Sequence, residues 1–205
     1  MEQFLGHKSV IIRFISLYCL GLVLFFISWT LAYYLLPEGA LPGGFLAKLA
    51  GDTAADTMMK EFLTIFGLNL IGMLFIVIGN LILRVKYFSF GYLVPLAWMI
   101  MYGATIGTNS FSIQMTERMA PTLEVFSRAG LYEMMAVVLL AVATNTISVN
   151  KSESFFSKSR PIPEDERSHL EKEQWVAVSV SILLLAGAAL REAYMIINLQ
   201  YRNFV

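Results

Sequence analysis

Charged side chains are scarce within the apolar runs of this chain, and each one found there is a candidate for chemistry. Glu133 stands near the start of one run, and Arg191 and Glu192 stand together late in the last. A charge at the centre of a bilayer costs at least ~2.5–3.5 kcal/mol on insertion scales, so such groups must face protein or water. Placed at similar depth on adjacent helices, Glu133 and Arg191 are expected to form an interhelical ion pair. That reading is favoured over a proton or ion relay through Glu133 and Glu192, because buried charges need partners for solvation alone. A third use, Glu133 and Glu192 as acid and base of an intramembrane enzyme, ranks last, since no nucleophile or metal set accompanies them. Asn69, Asn80 and Asn145 add hydrogen-bonding capacity worth about 1 kcal/mol per contact between helices.

The sequence is poor in other chemistry. It contains no G-x-x-x-x-G-K-[ST], no H-E-x-x-H and no G-x-S-x-G. Its two histidines, His7 and His169, fall in polar segments and predict no imidazole metal site. The single cysteine, Cys19, offers no disulfide framework and reads as a small buried hydrophobe. The formal net charge is zero, so no global field attracts nucleic acid. The expectation is a protein that is not an enzyme and holds no cofactor or metal.

The elements that must position these residues are long. Of the 205 residues, 57% are hydrophobic and 15% charged. A soluble domain of this size keeps much of its surface in water and carries about 25% charge. Apolar segments run Ile11 to Leu36, Phe62 to Leu83, Phe88 to Gly107, Leu131 to Val149 and Trp175 to Leu199. Each approaches or exceeds the ~20 residues that cross about 30 Å of hydrocarbon as a helix. None alternates with period two, which argues against strands there. The fold class predicted is all-α: a polytopic transmembrane helical bundle of about five spans. Residues 1–205 form a single integral membrane domain, with 150–173 a polar cytoplasmic loop. The first run is too long for a signal-peptide core and reads as a retained span.

The breaks between runs are legible. Pro37, Pro42, Gly43 and Gly44 stop the first. Arg84 and Lys86 bracket a tight turn that makes the next two an antiparallel hairpin. Pro161 and Pro163 precede Glu164, Asp165 and Glu166, read as the solvated start of the last helix. Asp52 is expected to cap a helix that begins at Thr53 and runs into the second span. Between the third and fourth runs, Phe111, Met115, Met119, Leu123 and Phe126 form an amphipathic stripe broken near Pro121. This outer connection either lies at the interface or folds back into the bundle, and packing is favoured over a docking surface. Lys and Arg concentrate at 151–172, at Arg84 and Lys86, and at Lys8 and Arg13, against Lys48, Lys60, Arg118 and Arg128 elsewhere. This places the protein in the cell membrane with a cytoplasmic N-terminus and an external C-terminus.

Glycines mark where helices can approach closely. Gly103 and Gly107 form a G-x-x-x-G, Gly67, Gly72 and Gly79 lighten the second span, and Gly130 precedes the fourth. Packing within the bundle is the favoured reading of these positions over self-association.

Several of these residues fall in a familiar order. Phe62, Ile65 and Asn69 resemble the start of the second span in the stage II sporulation protein M family of integral membrane proteins. Gly103 and Gly107 resemble its later glycine pair. Gly130 and Glu133 match its G-x-x-E, and Glu192 with Ala193 resembles its late E-A pair. The chain departs from the family at Ala129, where histidine is frequent, at Arg128, where proline is common, and at Tyr102, where asparagine is frequent. The resemblance implies a non-enzymatic membrane component that assembles with envelope enzymes or export-system subunits. The expected function is therefore a membrane scaffold or permease-like subunit. Its partners are the lipid bilayer and other membrane proteins or further copies of itself. The alternative is a small transporter or channel that uses the outer-half acids.

Overall fold

The structure is a computed structural model and describes residues 2–41, 55–111, 117–128 and 131–203. Helix α1 (Glu2–Leu5) is short, and α2 (Val10–Leu35) is the first long helix. Helix α3 (Met58–Ile82) leads into β1 (Arg84–Val85), β2 (Phe88–Ser89), a 3-10 turn at Phe90–Tyr92 and α4 (Leu93–Thr108). Helix α5 (Leu123–Arg128) precedes α6 (Leu131–Ala143), then β3 (Asn150–Ser152), β4 (Arg160–Pro161) and α7 (Lys172–Asn203). Among the described residues, four helices are long and apolar enough to cross a membrane: Val10–Leu35, Met58–Ile82, Phe90–Thr108 and Lys172–Asn198.

The breaks follow local chemistry. Leu36 is extended because the following Pro37 disfavours helical backbone at the residue before it. The expected cap Asp52 lies outside the described residues. The helix expected to run from Thr53 into the second span is interrupted: Ala55, Asp56 and Thr57 are not helical, and α3 starts at Met58. The extended Thr57 caps it by accepting the Lys60 amide at 3.3 Å, while Glu61 accepts that of Ala55 at 2.6 Å. The acidic run Glu164–Glu166 forms a 3-10 turn rather than the start of the last helix, which begins at Lys172. Its charges are spent locally, Glu166 on Lys151 at 3.1 Å and Glu164 on Arg167 at 3.7 Å.

Burial recurs every four residues on two helices. On α2 it runs through Leu17, Gly21, Phe25 and Trp29, and on α7 through Ala177, Ser181, Leu185, Ala189 and Ala193. The first ridge packs on α4 and the second, made mostly of small side chains, on α6. Cys19, two residues past Leu17, points away from this ridge and is exposed, contrary to the buried position expected. A Cβ at Gly103 would strike the Phe25 carbonyl and the Ser28 hydroxyl, and one at Gly107 would come within 2.7 Å of the Trp29 carbonyl. The G-x-x-x-G thus seats α4 on α2 within one chain. Gly72 gives way to the Trp98 ring, whereas Gly67 has open space and packs nothing. Gly130 lies outside the described residues.

Outward faces are apolar. Ile11, Ile15, Val23, Ile27 and Leu31 on α2, Leu63, Leu74 and Phe75 on α3, and Leu183 and Leu190 on α7 are all exposed. Single exposed leucines are ordinary in soluble proteins, but a belt shared by three long helices is not. Such a belt, on helices long enough to cross a bilayer, suits a lipid solvent.

Two features differ from the expectation of a simple helical bundle. A four-stranded sheet, ordered β2-β1-β3-β4, sits at the end where α3 and α6 finish. The tight turn expected between the second and third spans is present, but it is closed by a β-hairpin of β1 and β2 that was not expected, with Lys86 at φ 52° in its turn. Strands β1 and β3 pair in parallel, Arg84 with Lys151 and Val85 with Ser152, because each continues a helix running the same way. We refer to this end as the sheet face. The polar loop therefore begins as ordered strands rather than as irregular chain.

The fourth apolar run is also shorter than expected. Helix α6 stops at Ala143 instead of continuing to Val149, and its 13 residues span only about 20 Å. Thr144 donates its hydroxyl to the Leu140 carbonyl at 2.8 Å, and polar side chains of this kind compete with helical hydrogen bonding. A short helix suffices because the outer connection folds inward. Arg118 sits at the end of α2, bonded to the Leu36 carbonyl, while the Phe126 ring packs tilted at 5.6 Å from Phe25 and 5.0 Å from Phe26. Phe25 is ten residues before the end of α2, about 15 Å along the axis. The connection so descends into the bundle and delivers α6 part-way down. Phe111, Met119 and Phe126 face the core, Leu123 is exposed, and Met115 lies outside the described residues.

Candidate functional site

Helix α6 is the axis of the molecule. Ala136, Val137, Val138, Ala141, Val142 and Ala143 are fully enclosed. Its first turn carries Glu133, which is half-buried. Asn69, midway along α3, donates its amide to the Glu133 carboxylate at 3.2 Å. Glu192 of α7 brings its carboxyl within hydrogen-bond reach of Glu133, and Tyr102 of α4 lies within electrostatic range of both acids. Four helices thus meet at one polar cluster. Two carboxyl groups so placed can hold one proton or one cation between them, with the Asn69 amide and the Tyr102 hydroxyl as further polar neighbours.

The expected pair between Glu133 and Arg191 does not form. Arg191 is exposed, and none of the described ion pairs contains it. The reason is helical phase. Glu192 lies three residues beyond Ala189 and seven beyond Leu185, at the edge of the buried ridge of α7, so its carboxyl reaches toward Glu133 although the residue as a whole is exposed. Arg191 lies two residues beyond Ala189, about 200° around the helix, and so points outward. Asn69, Glu133 and Glu192 are brought together, and Arg191 is left on the surface.

Near the sheet face, Asn80 is fully buried and ties α3 to α6. Its side-chain amide donates to the Ala141 carbonyl at 2.8 Å and to the Thr144 hydroxyl at 2.7 Å, and its backbone carbonyl accepts the Ser148 hydroxyl at 2.6 Å. Gln174 of α7 joins this end through Thr146 at 3.0 Å.

Two arginines carry structural roles that sequence reasoning missed. Arg118 donates to the Ala32, Tyr33 and Leu36 carbonyls at the end of α2 and to the Gly107 carbonyl at the end of α4. It also lies 5.1 Å from the Tyr33 ring centre. Helix C-termini present unsatisfied carbonyls and a partial negative charge, and a guanidinium answers both. Trp29 fixes the same connection by donating its indole N–H to the Met119 carbonyl at 2.9 Å. At the sheet face, Arg13 is only 4% exposed and donates to the His7, Lys8 and Val142 carbonyls, the last near the end of α6. Arg13 stands just inside the first apolar run, a signal available in the sequence. Nothing local marks Arg118, whose partners at the end of α2 lie more than 80 positions away.

Among the described residues, no group of three or more His, Cys, Asp and Glu could hold a metal ion. No protein-family model, curated protein or solved structure matches the chain.

Proposed function

We propose that this chain is a multi-pass membrane subunit, a scaffold or permease-like component without catalytic activity, that assembles with a second membrane protein through the outward face of α7. One observation carries the reading. Arg191 is exposed on a helix whose other outward residues, such as Leu183 and Leu190, suit lipid. It lies about 24 Å along α7 from Trp175, within a hydrocarbon core of about 30 Å. Lipid does not solvate it, so a neighbouring polar surface stabilises it. The exposed Tyr194 borders Arg191 and supplies an aromatic contact of the kind enriched at interfaces.

The resemblance to the stage II sporulation protein M family points the same way. In this reading the short α6 is a fifth, inner span, and the sheet face with Lys151, Arg84 and Arg13 is cytoplasmic. The test is photo-crosslinking in native membranes from positions 191 and 194, with positions 15 and 27 on α2 as controls. Adducts to a different polypeptide from α7 alone are expected. Adducts to lipid only, or to a second copy only, would sink the proposal.

A second reading rests on the Asn69–Glu133–Glu192 cluster, which gives a small transporter a place to hold a proton or cation. Reconstituted vesicles would then show a proton or cation flux that Glu133→Gln removes. Flux equal to that of empty vesicles disposes of it.

A further inference from the structure

The sheet face holds a second polar cluster, separate from the carboxyl site, whose groups lack partners. Arg84 and Ser89 are opposite one another across the β1–β2 pair. Tyr92 follows in the 3-10 turn, within electrostatic range of both Arg13 and Arg84. It faces the Asn145 carboxamide without closing a hydrogen bond of good geometry. Ser89 and Tyr92 are 0% exposed, Arg13 4% and Asn145 6%.

Among the described residues, seven buried polar side-chain atoms lack a partner: Arg13 Nε, Arg84 Nε, Ser89 Oγ, Tyr92 Oη and Asn145 Oδ1 in this cluster, the acceptor Asn80 Oδ1 against Gly91 beside it, and Tyr18 Oη on α2. Buried polar groups are satisfied in the great majority of cases, so five unsatisfied ones in one neighbourhood need an explanation. Their chemistry is one-sided. Two are cationic N–H donors, two are hydroxyls free to donate, and the carboxamide can turn its NH₂ inward. The carboxylate that approaches this end, Glu173, accepts from the Val10 amide at 3.3 Å, and no described ion pair joins it to either arginine. Water would supply acceptor lone pairs but no charge. An oxyanion supplies both.

We propose that Arg13, Arg84, Ser89, Tyr92 and Asn145 form a binding site for a phosphate-bearing ligand at the sheet face. Arg13 is held in place by three backbone carbonyls and leaves Nε to the ligand. Arg84 is half-exposed and provides the approach from outside. The cluster lies where α2 and α4 begin and α3 and α6 end, the level at which phospholipid phosphates meet a helical bundle. Basic pockets between helices at that level bind lipid headgroups. A free phosphate has the same oxygens, and experiment separates the two sources.

The full chain, purified in a non-ionic detergent free of phosphate, is followed by thermal unfolding with two probes. One is inorganic phosphate against chloride at matched ionic strength. The other is phosphatidylglycerol against a phosphate-free glycolipid. Protection by the first probe identifies a soluble phosphate, and protection by the second alone identifies a lipid headgroup. The variant Arg84→Gln should weaken the protecting probe at least roughly tenfold, the equivalent of one hydrogen bond to a charged group. Ser89→Ala removes a hydroxyl that has no protein partner, so it folds like the parent without the probe and loses part of the protection with it. If Arg84→Gln fails to fold, Ser89→Ala decides. The site is overturned if neither probe protects the parent chain beyond its control, or if Ser89→Ala is protected as strongly as the parent.

Discussion

Replacing Arg118 tests whether the outer connection is clamped as the structure shows. Arg118→Met keeps length and apolar packing but removes every N–H. The number of close contacts overstates the loss, because Nη2 alone reaches the Ala32, Tyr33, Leu36 and Gly107 carbonyls and has only two hydrogens to share. With Nε to Gly107 at 3.1 Å, about three N–H bonds are effective at a time. Bonds to charged groups contribute ~1.5–3 kcal/mol when buried, and this site is only half-buried, so about 1 kcal/mol each is the appropriate scale. The expected destabilisation is about 3 kcal/mol, including the favourable charge at two helix C-termini. Arg118→Lys retains the charge over Tyr33 but has one nitrogen, which can serve one helix end at a time, so it should recover about half. The assay is denaturant unfolding in mixed micelles, combined with hydrogen exchange at 117–126 and in the last turns of α2 and α4. The reasoning is refuted if Arg118→Met lies within about 0.5 kcal/mol of the parent, the range of inconsequential surface changes. It also fails if the lysine and methionine variants are indistinguishable.

Further expectations concern packing. Gly103→Leu should cost at least ~3 kcal/mol, since its side chain must enter the α2 backbone at Phe25 and Ser28. Gly67→Ala should be neutral or stabilise by up to ~1 kcal/mol, because nothing lies within 4 Å and alanine favours helix. Thermal unfolding of the two side by side checks both. Trp29→Phe removes the indole donor to Met119 and should cost about 1 kcal/mol, with faster proteolysis at 117–126 as the local readout. Asn80→Leu leaves the buried Thr144 and Ala141 acceptors one donor short and should cost about 2 kcal/mol in denaturant unfolding.

Length and hydropathy are local properties, and they determined much of this protein without any knowledge of contacts. Runs long enough to cross a bilayer, the stop at Pro37, the turn at Lys86 and the close approach at Gly103 and Gly107 were all legible in the residues themselves. So was the polar character of Asn69, Glu133 and Glu192. Which of them would meet was decided by tertiary structure, because rotating a helix by one residue turns a side chain by about 100°. That single step seats Glu192 beside Glu133 and leaves Arg191 outside. Depth was decided the same way. Only the packing of Phe126 on Phe25 and the reach of Arg118 to two distant helix ends fix how far the outer connection descends. The parallel pairing of β1 with β3 likewise exists because α3 and α6 end side by side, an adjacency that no local pattern encodes.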